Sequence, residues 1–276
     1  MFELGKRNQL TVLRESPYGV YLDTGDGGGI LLPRSEVPEG TKLGDKLRVF
    51  VYLDSQDQEI ATLAHPKAEV GQFARLRVKE TTQIGAFLDW GLSKDLLLPF
   101  SEQQRDVTEG QWVNVFIYID NSNRIAASMK TDRYLETSTT DLTKEMLVEM
   151  LPWRMTDLGM LCIINDRYEG LIHRQDLTQH LKLGQRLTGY IKQIREDDQI
   201  DLMLTPPGYK RVGSVADKLL ADMESNNGFC SLGDKSPPEA INARFGCSKK
   251  AYKMAIGQLL KEGKIQIEAD GLRLKV

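Results

Sequence analysis

Eight residues near the start of the chain, Gly5, Leu10, Gly19, Pro33, Gly44, Phe50, Tyr52 and Asp54, recur at one constant offset of 66 as Gly71, Leu76, Gly85, Pro99, Gly110, Phe116, Tyr118 and Asp120. Three of these landmarks return 74 residues later as Gly159, His173 and Gly184, which keeps the internal spacings of 14 and 11 in every copy. Regularity of this kind means one supersecondary unit used three times. It overrides the division of 276 residues by roughly 150 per domain, which alone suggests about two domains.

Each copy reads as strands. In the second, AFLDW and DLLLP are followed by WVNVFIYID, whose alternation puts Val113, Val115, Ile117 and Ile119 on one side and Trp112, Asn114, Phe116 and Tyr118 on the other. RIAAS follows the turn at Asn121-Ser122-Asn123, and a first strand lies near Phe73 to Val78. Five short strands per repeat is the content of a five-stranded Greek-key OB barrel, which closes its own edges. The aromatic positions Phe50, Tyr52, Phe116 and Tyr118 are expected to pack between neighbouring barrels. The glycine stretch Gly25 to Gly29 lies between two strands with no helix or Lys-Ser pair after it, so it is expected to be a hairpin and not a phosphate loop.

At 41% hydrophobic and 27% charged residues, the chain has the composition of an ordinary globular protein, which excludes disorder and collagen. No run of 18 uncharged apolar residues occurs, and MFELGKRNQL lacks the apolar core of a secretory signal; a cytoplasmic location without membrane contact is expected. Cys162, Cys230 and Cys247 are odd in number and suit neither a disulfide framework nor a zinc site. They are expected to be reduced, structural thiols. Charge is uneven: from Lys210 onward 12 basic residues face 8 acidic ones, against 24 and 31 before it. A net negative body argues against avid, purely electrostatic binding of nucleic acid and leaves stacking and hydrogen bonding to contribute.

The second copy, with Gly85-Ala86-Phe87-Leu88, DLLLP and GQWVNVFIYID, resembles the S1-type RNA-binding domain, as does EGLIH in the third. The resemblance implies RNA-facing residues at Tyr18, Tyr21 and Asp54 in copy one, Phe87, Asp120 and Arg124 in copy two, and His173 in copy three. Pro33 and Pro99 stand where such domains carry histidine, Ile84 and Leu158 replace the first aromatic, and Leu161 the second. Unpaired bases stack on exposed rings at about 1–3 kcal/mol per base, while cations track phosphates. Tethered modules then add avidity. Tyr18, Tyr21 and Phe87 also fit ordinary surface or inter-repeat packing, because aromatics are common in strands.

The polar stretch TDRYLETSTTDLTKEMLVEM reads as a linker with a helical turn or two, and Pro152 confines the next strand to an edge or bulge. After Thr205-Pro206-Pro207-Gly208 the pattern changes. A helix is expected from Ser214, as N-cap, to Asn226. A second begins with Pro237 and Pro238 and ends at Phe245-Gly246, and a third is capped by Ser248 and stopped by Gly263. KIQIE and LRLKV flank the hairpin signal Ala269-Asp270-Gly271. The order resembles a winged helix, in which Lys249, Lys250, Lys253, Lys264, Arg273 and Lys275 would form a positive face for nucleic acid; a protein partner or a structural role are the other readings.

The expected organisation is therefore mainly β with a C-terminal α+β domain: three tandem OB-fold barrels at 1–66, 67–130 and 145–206, a linker at 131–144, and a winged helix at 210–276. This order resembles the CvfB family of bacterial proteins (conserved virulence factor B). The resemblance implies a non-enzymatic RNA-binding protein that regulates gene expression post-transcriptionally, virulence factors included. Alternatives are an interaction scaffold for a ribosomal or ribonuclease partner and a DNA-binding regulator acting through the winged helix. His65, His180, Asp197 and Asp198 form no reactive constellation in the sequence, so no catalytic residue, metal or cofactor is expected.

Overall fold

The computed structural model describes residues 2–177, 179–206, 209–268 and 270–275. Its first fifteen strands form three closed barrels. The first contains β1 (Arg7–Ser16), β2 (Gly19–Asp23), β3 (Gly29–Pro33), β4 (Lys46–Leu53) and β5 (Glu59–Thr62). The second contains β6 (Phe73–Thr81), β7 (Gly85–Asp89), β8 (Leu96–Pro99), β9 (Trp112–Ile119) and β10 (Ile125–Ser128). The third contains β11 (Leu147–Met155), β12 (Gly159–Ile164), β13 (Tyr168–His173), β14 (Leu187–Ile194) and β15 (Ile200–Met203). In each, the first strand pairs with the second and fourth, and the third and fifth run parallel.

The repeated glycines have a mechanical reason. Gly19, Gly85 and Gly159 adopt φ of 144°, 149° and 154° where the chain crosses the end of the third strand. A Cβ there would lie 2.0, 2.3 and 2.0 Å from the carbonyl oxygens of Leu32, Leu98 and Ile172, so any side chain would force the two strands apart. Three further glycines close the other end: Gly44, Gly110 and Gly184 donate to the carbonyls of Val12, Val78 and Pro152 at 2.9, 2.9 and 2.8 Å. Those acceptors sit at the same β-bulge in each first strand. Pro152 thus occupies a bulge shared by all three barrels.

The barrels are stitched to one another. Phe50 and Tyr52 of the first barrel are buried in the core of the second, with Phe50 set edge-on to Trp90 at 5.8 Å. Phe116 of the second stacks on Tyr134 at 4.0 Å and meets Phe73, which in turn meets Trp153 of the third. Asp166, in the turn between β12 and β13, accepts from Phe73 N at 2.8 Å, and Arg186 donates to Phe73 O at 2.9 Å. The 131–144 segment is a packed strap: a 3-10 turn spans Thr131–Tyr134, Leu142 is buried in the third core, and Glu136 pairs with Arg167 at 2.7 Å. Ile119 is exposed, because the alternation of β9 runs out of core at its last residue.

The C-terminal region has α1 (Tyr209–Ser225), β16 (Phe229–Cys230), α2 (Pro238–Phe245), α3 (Lys249–Lys261), β17 (Ile265–Glu268) and β18 (Gly271–Leu274). The helix expected to start at Ser214 begins at Tyr209 instead. No breaker stands between these positions, and Ser and Gly are tolerated in a helix interior at a cost of about 1 kcal/mol or less each. Pro207, Gly208 and Ala269 lie outside the described residues. Ser248 Oγ caps α3 by accepting from Ala251 N at 3.3 Å, and Gly246 ends α2 in the left-handed region. Tyr252, Ala255, Ile256 and Leu259 face the core. The short strand β16 joins the hairpin in the order β16-β18-β17. Cys162 and Cys230 are buried, and burial pushes the Cys162 thiol up to about 12. Among the described residues no helix is long and apolar enough to cross a membrane.

Candidate nucleic-acid interface

The position just before the strand-crossing glycine is solvent-exposed in every barrel: Tyr18 by 74%, Ile84 by 61% and Leu158 by 69%. Two residues after that glycine, Tyr21, Phe87 and Leu161 are half-buried on the same outer face. A ladder position therefore exists three times, but only the first barrel fills both places with rings. Arg14 covers one face of Tyr21 at 3.6 Å from the ring centroid.

Phe87, Asp120 and Arg124, assigned separately from the sequence, line one cleft of about 230 Å³ at the junction of the first two barrels. Tyr52, Leu53, Ser55 and Asp57 supply its first-barrel wall; Ile84, Trp90, Lys94 and Leu97 complete the other. Trp90 Nε1 donates to Lys94 O at 2.6 Å, which fixes the loop that carries Lys94. Lys94 Nζ is 3.0 Å from Asp57 and Arg124 is 3.8 Å from it, so one carboxylate of the first barrel bridges two cations of the second. The Lys94 hydrogen bond holds the Asp57 carboxyl below the usual range. Tyr118, on the same face of β9, has its phenol pushed up to about 12 by burial.

Asp54 and Asp120 serve the turns. Asp54 Oδ1 accepts from the backbone N–H of Gln56 and Gln58 at 2.8 and 2.9 Å; Asp120 Oδ1 accepts from Ser122 and Arg124 at 2.7 and 3.0 Å. Their second oxygens are the ones left for a ligand.

His173 stands in a cluster that the sequence reading missed. Its Nε2 lies 2.9 Å from Oδ1 of Asp201, a carboxylate only 3% exposed. Arg195 donates to the same oxygen at 2.8 Å and Gln193 to the other at 2.5 Å. Burial alone would raise the Asp201 carboxyl, but hydrogen bonds from Arg195, His173 and Gln193 outweigh it and hold it below the usual range. The signal lay in the spacing. A bulge between Ile191 and Gln193 adds one residue to β14, so the offset from the second barrel slips from 74 to 75 beyond it.

In the C-terminal domain Lys264 pairs with Glu262 at 2.8 Å, while Arg273 pairs with Glu268 at 2.8 Å and lies 5.2 Å over the Phe229 ring. Lys249 Nζ reaches the carbonyl of Lys235 at 3.4 Å. Lys250, Lys253 and Lys275 are exposed and form no ion pair among the described residues. The first two share the outer face of α3 with the exposed apolar residues Met254 and Leu260.

The family model of the S1 domain matches residues 4–64 and 70–130, and that of the CvfB-like winged helix domain matches residues 217–274. Conserved virulence factor B of Staphylococcus saprophyticus is 26% identical over 259 residues, 90% of this chain and 87% of its own. The chain belongs to the CvfB family. As a CvfB-family chain it is assembled from nucleic-acid-binding types of domain. It is also 29% identical over 272 residues to an uncharacterized Bacillus subtilis protein, YitL, covering 96% of this chain and 91% of that one. A crystal structure of a multidomain protein with nucleic acid binding domains from Streptococcus pneumoniae aligns with 99% of this CvfB-family chain and 98% of its own, at 25% identity and a TM-score of 0.41.

Proposed function

We propose that this CvfB-family chain is a non-enzymatic cytoplasmic protein that binds single-stranded RNA and so regulates gene expression after transcription, virulence genes included. The observation that carries the reading is the cleft at the first barrel junction, where the ring of Phe87 lies beside Lys94 and Arg124. A flat ring offers a base its stacking surface, and the two cations offer its phosphates counter-charge. Their bridge to Asp57 is exposed, and pairs of that kind are weak enough for phosphate to replace the carboxylate. The net negative charge of the three-barrel region makes stacking a necessary part of affinity.

Titration of the full chain with labelled oligoribonucleotides at several salt concentrations tests this. A plot of log affinity against log salt should fall with a slope near about −0.7 per phosphate neutralised. Absence of saturation at high micromolar protein would overturn the reading.

A second reading, a protein or DNA partner for the winged helix, draws on the mixed face of α3, where Met254 and Leu260 accompany Lys250 and Lys253. Lys250→Glu with Lys253→Glu should weaken duplex DNA binding if DNA is the partner and leave RNA binding through the barrels intact. Unchanged DNA binding would remove DNA from consideration.

A further inference from the structure

The outer face of the second barrel, at its junction with the third, carries a different pair of grooves. Trp112 at the start of β9 is 49% exposed, an unusual position for the largest side chain in the alphabet. It borders a groove with Met155, Met160, Leu181 and Lys182, and a second groove with Arg105 and Arg154; Arg75 belongs to both. The first groove has no acidic residue in its lining, while Arg75, His180 and Lys182 are all potential cations. The second holds three arginines against Asp132 and Glu169. Neither Arg75, Arg105, Arg154 nor Lys182 forms an ion pair among the described residues.

Two features show that this arrangement is built into the junction. The stem of Arg75 lies against Gly184 of the third barrel so closely that a Cβ at Gly184 would come within 2.6 Å of Arg75 Cβ. The positions of Arg75 and Trp112 correspond in the third barrel to Glu149 and Arg186, which pair with each other, and Arg186 also holds Asp166 at 2.8 Å. Where the third barrel neutralises this face internally, the second leaves Trp112 exposed and the half-buried Arg75 without an ion pair among the described residues.

We propose that this face is a second binding site for single-stranded nucleic acid, with an unpaired base stacked on Trp112 and the flanking phosphates on Arg75 and Lys182. The site rests on the reading of the chain as a single-stranded nucleic-acid binder but uses none of the residues of the first cleft. Charge complementarity selects the ligand. A polyanion that also presents flat rings satisfies both the cations and the indole, whereas an acidic peptide satisfies only the first.

Tryptophan fluorescence tests it, because Trp112 is the exposed indole among the three; Trp90 lines the first cleft and Trp153 the second groove, so the part of any quench that Trp112→Phe removes is the part that reports this site. Adding an oligouridylate to the full chain should quench the emission saturably. Trp112→Ala and Arg75→Glu should each weaken binding about tenfold, within the range of one lost base contact, while Trp112→Phe keeps most of the affinity and loses the quench. If Trp112→Ala does not fold, the difference in quench between the unmodified chain and Trp112→Phe and the Arg75→Glu affinity carry the test. Binding with no quench and unaltered affinity in the variants would overturn this site and leave the Phe87 cleft standing. Binding to no oligonucleotide at all would overturn the proposed function with it. Saturable quenching by polyglutamate but not by oligouridylate would make the face a protein-docking surface and overturn the inference.

Discussion

The second and third barrels share strand order, glycines and bulge, yet the same four outer positions hold opposite chemistries. In the second they are Pro99, Tyr118, Asp120 and Ala126; in the third, His173, Gln193, Arg195 and Asp201. The first barrel sides with the second, with Pro33, Tyr52, Asp54 and Ile60. In two barrels these positions hold an aromatic and apolar residues with a turn carboxylate, and in one a buried carboxylate ringed by three donors. The backbone is specified by glycines and inward apolar residues, which leaves the outward positions free to diverge. A site residue therefore cannot be carried from one copy to another merely because the copies align.

Grafting the third barrel's residue into the second breaks the comparison most severely. Ala126→Asp would place a carboxylate in a nearly buried position beside Asp120 and opposite Tyr118, without the arginine, histidine and glutamine that surround Asp201. A loss of about 3–5 kcal/mol in denaturant unfolding is expected. An unchanged midpoint would show that the outer face is far more hydrated than its exposure indicates.

A smaller loss should follow Asp201→Asn, about 1.5–3 kcal/mol, because a charged acceptor of hydrogen bonds from three side chains is replaced by a neutral amide. The pH dependence has a definite sign. A carboxyl held below its unfolded value stabilises the fold at pH above about 4, and that contribution disappears as pH falls through the folded pKa. The variant should thus lose part of the acid sensitivity of the third barrel, followed by hydrogen exchange in residues 159–203. Equal acid sensitivity in both proteins would remove Asp201 from the account.

Binding sharpens the same contrast. Phe87→Ala should cost about 1–3 kcal/mol of oligoribonucleotide affinity, whereas Leu161→Ala, at the matching position of the third barrel, should leave it nearly unaltered. Equal losses would mean that stacking does not distinguish the two faces. The smallest effect belongs to Asp57→Asn. It frees Lys94 and Arg124 for phosphate, so affinity should rise at low salt and converge with the unmodified chain at high salt.

Much of this architecture was legible because glycine positions and period-two alternation report directly on backbone demands. The three barrels, the capped third helix and the hairpin follow from Gly19, Ser248 and the Ile265–Leu274 segment in that way. Phe50 and Phe116 could be assigned to junctions because they fall on the face that a single barrel has no use for. The Asp201 cluster was hidden by the β14 bulge, which shifts the register of comparison by one residue. Trp112 and Arg75 were invisible for another reason: alternation says which side of a strand a residue takes, not whether a neighbouring module covers it. Strand β16, two residues long, is too short to leave a pattern.

The clasp of Asp166 and Arg186 on both backbone atoms of Phe73 has a consequence for any polymer lying across this protein. With the second and third barrels fastened main chain to side chain, the spacing between their outer faces is dictated by the scaffold, not negotiated on contact. If the chain binds a single strand as proposed above, the distance that strand must cover between the second and third barrels would be set before it arrives, as on a ruler.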